Sequence, residues 1–321
     1  MLIDFVYLVL GLVALVFGAT WLVDGASSLA KKAGISTLTI GLTVVAFGTS
    51  MPELVVNLLA SASGSTELAI GNVVGSNTLN IFLIVGIAAI IKPVNVQRKS
   101  VLVEIPFSLL AAVVLFFMAN DLLIDGASQS VISRSDGLVL FSFFAIFLYY
   151  NFLTAKSGGA PEEDITIKQI KPWLAVVMVF VGIFLLFIGG KFIVDGGSSL
   201  ARTLGVSESL IGLTVVAIGT SLPELATSAM AAYKGNSDIA IGNVVGSNIF
   251  NIFFILGTSS LVRPLPFYSN SNVDILVTCL ASILLFSFVL IGSGRRIDRR
   301  EGVLFVSLYL IYTAYLVVYV G

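Results

Sequence analysis

Along the chain, long apolar runs alternate with short polar breaks. Phe5–Leu22, Val101–Met118, Leu138–Leu153, Trp173–Ile188, Ile275–Ile291 and Val303–Val320 carry almost no charge. A helix needs about 20 such residues to cross the hydrocarbon of a bilayer, so each run predicts a membrane span. The stretches between them are apolar but punctuated by Gly, Pro, Ser, Thr and Asn. With these included, the pattern predicts ten spans, near residues 3–25, 37–62, 68–92, 101–120, 135–153, 173–200, 208–232, 239–262, 273–292 and 302–320. Residues 1–153 then form one five-helix unit, 154–172 a polar linker with Gly-Gly and Pro, and 173–321 a second five-helix unit. The amino terminus lacks the basic start of a secretory signal, so its run reads as a permanent span.

The two units are copies. WLVDGASSLA (Trp21–Ala30) is echoed by FIVDGGSSLA (Phe192–Ala201), IGLTVVAFGTSMPEL (Ile40–Leu54) by IGLTVVAIGTSLPEL (Ile211–Leu225), and AIGNVVGSNTLNIF (Ala69–Phe82) by AIGNVVGSNIFNIF (Ala240–Phe253). Asp24 and Asp195, Glu53 and Glu224, Asn80 and Asn251, and even Pro93 and Pro264 are all 171 residues apart. Five spans is an odd number, so the second copy enters the membrane from the opposite side. Such inverted repeats are the usual build of alternating-access transporters, with the site near the midplane between the halves. The expected fold is therefore an all-α membrane protein of two inverted five-helix repeats. Helices 2, 3, 7 and 8 are expected to be broken around a midplane ion site.

Composition agrees. Of 321 residues, 57% are hydrophobic and only 11% charged, with a mean hydropathy of +1.06. A soluble domain carries about 25% charge, so most of this surface faces the lipid bilayer. The net charge of −1 and the lack of a basic cluster point away from nucleic acid, and no protein partner is evident. Cys279 is the single cysteine and there is no histidine, which removes thiolate sites and the commonest transition-metal ligand. Placing both termini outside and the linker in the cytoplasm puts 13 of the 17 basic residues in cytoplasmic loops, as the positive-inside rule asks. A multi-pass protein of the plasma or inner membrane is expected.

The candidate chemistry lies where charge is least at home. Spans 2 and 7 both carry G-T-S-x-P-E: Thr49, Ser50, Pro52 and Glu53, and Thr220, Ser221, Pro223 and Glu224. A carboxylate at mid-membrane costs about 2.5–3.5 kcal/mol on insertion scales, so it is there for a reason and needs a partner. Each proline removes a backbone donor and frees carbonyls in the preceding turn. Ser76 with Asn80, and Ser247 with Asn251, stand four apart on spans 3 and 8, and Gly71, Gly75, Gly242 and Gly246 there allow close helix approach. Together these motifs form an oxygen cage with two negative charges, which suits Ca²⁺ with its 6–8 oxygen ligands and not Zn²⁺ or Cu²⁺. Asp24 and Asp195 read as structural, Lys191 standing one turn before Asp195 as a salt-bridge partner. Glu104 also reads as structural, with no acid at its mate Ile275.

The duplicated GTSxPE and GNxxGSNxxN motifs resemble the two α-repeats of the sodium/calcium exchanger family, within the cation/Ca²⁺ antiporter superfamily. The resemblance covers essentially the whole chain and fits the family's compact prokaryotic members. It implies Na⁺/Ca²⁺ antiport, with these ions as substrates and no cofactor or enzymatic step. Glu53 and Glu224 would bind Ca²⁺ with the carbonyls and hydroxyls of Thr49 and Thr220. The same glutamates would hold Na⁺ with Ala46, Thr49, Ser50 and Ser247 toward one side and Ala217, Thr220, Ser221 and Ser76 toward the other. Three Na⁺ per Ca²⁺ is implied in the same way. The potassium-dependent branch carries Asp at the last motif position of one repeat; both residues here are amides, Asn80 and Asn251, which argues against K⁺ coupling. A Ca²⁺/H⁺ exchanger, a K⁺-dependent Na⁺/Ca²⁺ exchanger and, more remotely, a cation channel remain as rival readings. An intramembrane protease is remote, for want of a Ser-His pair or an aspartate dyad.

Overall fold

The computed structural model describes residues 2–98, 100–156, 169–203, 217–268, 271–291 and 294–319. Most of the expected linker, and the start of the seventh span near residue 208, lie outside them. Apart from the single turn Asp121–Ile124, the helices among the described residues are α1 (Leu2–Ala33), α2 (Thr37–Thr49 and Met51–Ser63), α3 (Thr66–Ile91), α4 (Ser100–Met118), α5 (Arg134–Lys156), α6 (Pro172–Thr203), α7 (Ala217–Thr220 and Leu222–Tyr233), α8 (Ser237–Val262), α9 (Asn272–Ile291) and α10 (Arg299–Tyr319). Among the described residues, eight helices are long and apolar enough to cross a membrane, and nine if the bent pair of α2 counts as one span.

The two longest helices, α1 and α6, pack antiparallel at backbone distance. Gly11, Gly18 and Gly25 recur every seven residues on α1, as Gly182, Gly189 and Gly196 do on α6. Two turns of helix separate successive glycines, so each set lines one stripe. A side chain has no room there: a Cβ at Gly18 would lie 2.9 Å from the Gly182 carbonyl oxygen, and one at Gly189 2.8 Å from that of Gly11.

Helix α2 bends by 47° between its two halves. Ser50 at the break leaves helical geometry (φ −83°, ψ 7°) and Pro52 opens the second half. Ser221 repeats this in α7 (φ −91°, ψ 6°), with Pro223 following. The expected breaks in α3 and α8 are corrected. Both run through without interruption and instead carry a wide π-turn, at Asn80–Val85 and Phe250–Leu256. Neither helix contains an internal proline, so no backbone donor is lost. A π-turn shifts register without ending the helix and is common at functional sites.

Two short strand pairs tie loops together across the repeats. Val94–Asn95 (β1) pairs antiparallel with Arg296–Ile297 (β4), and Ser130–Ile132 (β2) with Leu265–Phe267 (β3). Loops that pair must share a face of the membrane, and the two pairs lie at opposite ends of α4 and of α9. Burial separates core from rim: 94% of the best apolar window of α8 and 72% of that of α3 are buried, against 22% in α5 and 17% in α10. The peripheral helices are clasped by carboxylate–phenol bonds. Tyr150 on α5 donates to Glu104 on α4 at 2.6 Å, and Tyr312 on α10 donates to Asp274 on α9 at 2.6 Å. The acidic counterpart of Glu104 is thus Asp274, one residue before Ile275.

Candidate cation site

The breaks in α2 and α7 aim two glutamates at the same interior. Glu53 and Glu224 are each 1% exposed, in a protein whose rim is apolar. Their partners come from the opposite repeat. The Ser50 hydroxyl lies 2.9 Å from Glu224 Oε1 and 3.0 Å from Ser247 Oγ, and Ser247 Oγ is 3.4 Å from the same carboxylate oxygen. In mirror fashion, Ser221 Oγ lies 3.1 Å from both Glu53 Oε1 and Ser76 Oγ. Each glutamate is therefore held by the serine that precedes the other one.

The threonines of the motif reach the GN asparagines across the same axis. Thr49 Oγ1 donates to Asn243 Oδ1 at 3.0 Å, and Thr220 Oγ1 to Asn72 Oδ1 at 3.4 Å. Asn72 in turn donates to Asn57 Oδ1 at 2.6 Å, and Asn243 to Ser228 Oγ at 3.0 Å. The Ala46 carbonyl accepts the Ser50 N–H at 3.0 Å and lies 3.3 Å from Thr49 Oγ1. In the second repeat the Ser221 N–H turns to Ile218 instead, at 3.1 Å. Ala217 opens the described part of α7; its side chain lies outside the described residues.

Below the serines, four asparagines interlock. Asn77 Nδ2 donates to the Asn248 carbonyl at 3.1 Å and Asn248 Nδ2 to that of Asn77 at 3.3 Å. Asn80 Nδ2 donates to Asn248 Oδ1 at 2.9 Å and Asn251 Nδ2 to Asn77 Oδ1 at 3.0 Å. The amide nitrogens of Asn80 and Asn251 thus face protein, and their oxygens are left over.

Those oxygens belong to a set. Glu53 Oε2, Glu224 Oε2, Asn80 Oδ1 and Asn251 Oδ1 are all buried with no hydrogen-bond partner among the described residues. Leaving a buried acceptor unsatisfied costs about 1–3 kcal/mol, and more when it is charged. All four are acceptors and they come as two repeat-related pairs. A desolvated cation satisfies such oxygens where a donor has not been provided. Among the described residues no three of His, Cys, Asp and Glu cluster, so the only charges offered here are the two glutamates, and the remaining ligands would be neutral oxygens.

Every site residue expected from the sequence except the side chain of Ala217 is placed in this interior. Asn57, Asn72, Asn77, Asn243 and Asn248 were not singled out. Four of them stood inside the duplicated motifs, which was the available signal. The close-approach expectation holds at Gly242 and Gly246, where a Cβ would lie 3.0 Å from the Leu38 and 2.6 Å from the Leu42 carbonyl oxygen. The segment that mirrors this contact at Gly71 and Gly75 lies outside the described residues. The Lys191–Asp195 salt bridge is corrected: both residues are exposed, and no such pair forms among the described residues. Residues four apart share a helix face, but on an exposed face such a pair gains only about 0–1 kcal/mol from closing. Asp24 does form an ion pair, with Lys234.

A family profile described as "Sodium/calcium exchanger protein" matches residues 3–153 and 174–318. The sodium/calcium exchanger MaX1 of Methanosarcina acetivorans is 35% identical over 98% of this chain and 98% of its own length. The putative antiporter CaxA of Alkalimonas amylolytica is 35% identical over 97% of this chain and 98% of its own. Among solved structures, the sodium-calcium exchanger NCX_Mj soaked with 10 mM Na⁺ and zero Ca²⁺ superposes with a TM-score of 0.82 at 35% identity, covering 98% of this chain and 99% of that one.

Proposed function

The chain belongs to the sodium/calcium exchanger family, and we propose that it exchanges Na⁺ for Ca²⁺ by alternating access through one site shared by Glu53 and Glu224. It is a multi-pass membrane antiporter and not an enzyme. The observation that carries the site is the set of four unsatisfied buried oxygens, two carboxylate and two amide, contributed symmetrically by both repeats.

In this reading Ca²⁺ sits between Glu53 and Glu224, with the oxygens of Thr49 and Thr220 completing its shell. Na⁺ takes overlapping places: Ser50, Ser247 and Ala46 on one side, Ser221, Ser76 and Ala217 on the other, Asn80 and Asn251 nearby. One Ca²⁺ or two Na⁺ neutralise the two carboxylates. A loaded site is then close to neutral and crosses the membrane interior, whereas an empty one exposes two buried charges, which is costly. That difference favours exchange over leak. The chain spans the bilayer ten times as two inverted repeats, residues 1–153 and 173–321, around the 154–172 linker, with both termini outside and the linker in the cytoplasm. The strand pairs support this, since in this topology six spans separate one pair of loops and four the other, both even, as loops on a common face require. The moving part is α1 with α6, whose glycine stripes hold them together as one body sliding over the rest.

Reconstitution into proteoliposomes, with Na⁺, K⁺ and H⁺ gradients imposed separately, tests the function. An outward Na⁺ gradient is expected to drive ⁴⁵Ca²⁺ uptake with a protonophore present and without K⁺. Uptake that needs a proton gradient would assign the chain to Ca²⁺/H⁺ exchange, and single-channel currents would make it a channel.

A further inference from the structure

In the reading above, α1 and α6 move relative to the other helices, so any bond from them to the core must break in one of the two end states. One end of α1 carries several such bonds. Lys234, at the turn from α7 to α8, forms an ion pair with Asp24 and donates to the Thr20 carbonyl at 3.2 Å. The pair is sheltered, with 24% of the lysine and 13% of the aspartate side chain exposed. Two residues on, Asn236 Nδ2 donates to Ser27 Oγ at 3.0 Å while its Oδ1 caps α8 by accepting the Ile239 N–H at 3.2 Å. Thr20, Asp24 and Ser27 are spaced four and three apart, so they share one face of α1, and that face is stapled to the α7–α8 turn.

The repeat makes the comparison at the other face direct. The mate of Asp24 is Asp195, which is exposed, and the mate of Lys234 is Ser63. Ser63 donates to the Ala60 carbonyl of its own helix at 3.0 Å. The mate of Asn236 is Ser65. A carboxylate and a hydroxyl make no ion pair, so among the described residues the staple is present on one face only.

Two identical inverted halves would give two end states of equal energy, since swapping the conformations of the halves interchanges them. A bond present in one half only unbalances that equilibrium, and ion affinity measured from each face follows the population of the state open to it. We propose that Asp24–Lys234, reinforced by Asn236–Ser27, is a one-sided latch. It holds closed the face that the orientation above makes cytoplasmic and biases the exchanger toward the state open to the outside. The inference rests on the alternating-access reading.

The test uses the full chain in proteoliposomes sorted for orientation, with the half-saturating Na⁺ concentration for ⁴⁵Ca²⁺ exchange measured separately at each face. Lys234→Gln and Asp24→Asn should each lower it at the cytoplasmic face and raise it at the external face. The combined shift is expected to be about tenfold, equivalent to about 1.4 kcal/mol. The exchanged pair Asp24→Lys with Lys234→Asp should restore both values, and Ser27→Ala should shift them less in the same sense, which keeps the test open should a charge variant not fold. Unchanged values at both faces, movement of both in one direction, or no recovery in the exchanged pair would overturn the latch. Absence of Na⁺-driven exchange in the unaltered protein would instead overturn the antiporter reading beneath it.

Discussion

Ser50 stands three residues before Glu53, yet its hydroxyl meets Glu224 at 2.9 Å, and Ser221 before Glu224 meets Glu53 at 3.1 Å. The sequence made all four residues visible, because it repeats them, and it placed serine and glutamate on a common helix face. It did not show that each serine serves the other repeat's acid, since a linear pattern records what recurs and not what stands across an axis. The same blindness explains Asn77 and Asn248, whose bonds run entirely between repeats. At this scale Glu53→Gln and Glu224→Gln, which keep shape and remove charge, should each lower Ca²⁺ transport by about a hundredfold or more. Breaking a buried ion pair is worth about 3–5 kcal/mol; initial rates of ⁴⁵Ca²⁺ uptake at equal protein in the membrane give the comparison. Asn77→Leu strips Asn251 and Asn248 of buried partners and should destabilise the protein by about 1–3 kcal/mol per orphaned group, seen as a lower midpoint of thermal unfolding in detergent.

Proline marks the two breaks at the site, although Pro106 lies inside α4 without breaking it. Pro52 and Pro223 sit just past the bends in α2 and α7, and those bends were legible from the sequence. In α3 and α8 breaks were expected, but no proline removes an N–H there, and both helices run on through π-turns at Asn80–Val85 and Phe250–Leu256. Pro52→Ala should straighten α2, draw Ser50 away from Glu224 and slow exchange, with expression and unfolding midpoint close to those of the unaltered protein. The glycine stripes of α1 and α6 make a sharper test. Gly18→Ala places a Cβ 2.9 Å from both the Gly182 carbonyl oxygen and the Leu186 nitrogen, atoms of rigid backbone that have nowhere to go. Overpacking of this kind costs about 1–3 kcal/mol, so the variant should unfold at a lower temperature and exchange more slowly while equilibrium Ca²⁺ affinity stays nearly unchanged. A loss of affinity as large as the loss of rate would mean that α1 and α6 shape the site itself.

For the molecule as a whole, the proposed topology rests on the repeat, the apolar spans and the basic loops, and it is consistent with the strand pairs, β1 with β4 and β2 with β3, which lie at opposite ends of α4 and of α9. No sequence pattern announced those strands, each two or three residues long and set by helices that bring distant loops together. In a protein with Cys279 replaced by alanine, Ser128→Cys should react with a membrane-impermeant thiol reagent from outside, and Arg300→Cys only after permeabilisation; the reverse pattern would invert the orientation and with it the sense of the latch. The central claim is that two mirror-related acids make one site. Equilibrium ⁴⁵Ca²⁺ binding to the purified protein and to Glu53→Gln, Glu224→Gln and the double variant tests it most directly. One Ca²⁺ per chain, displaced by Na⁺ and lost in either single variant, is the predicted result; two Ca²⁺ per chain, with each single variant keeping one, would show two independent sites and contradict it.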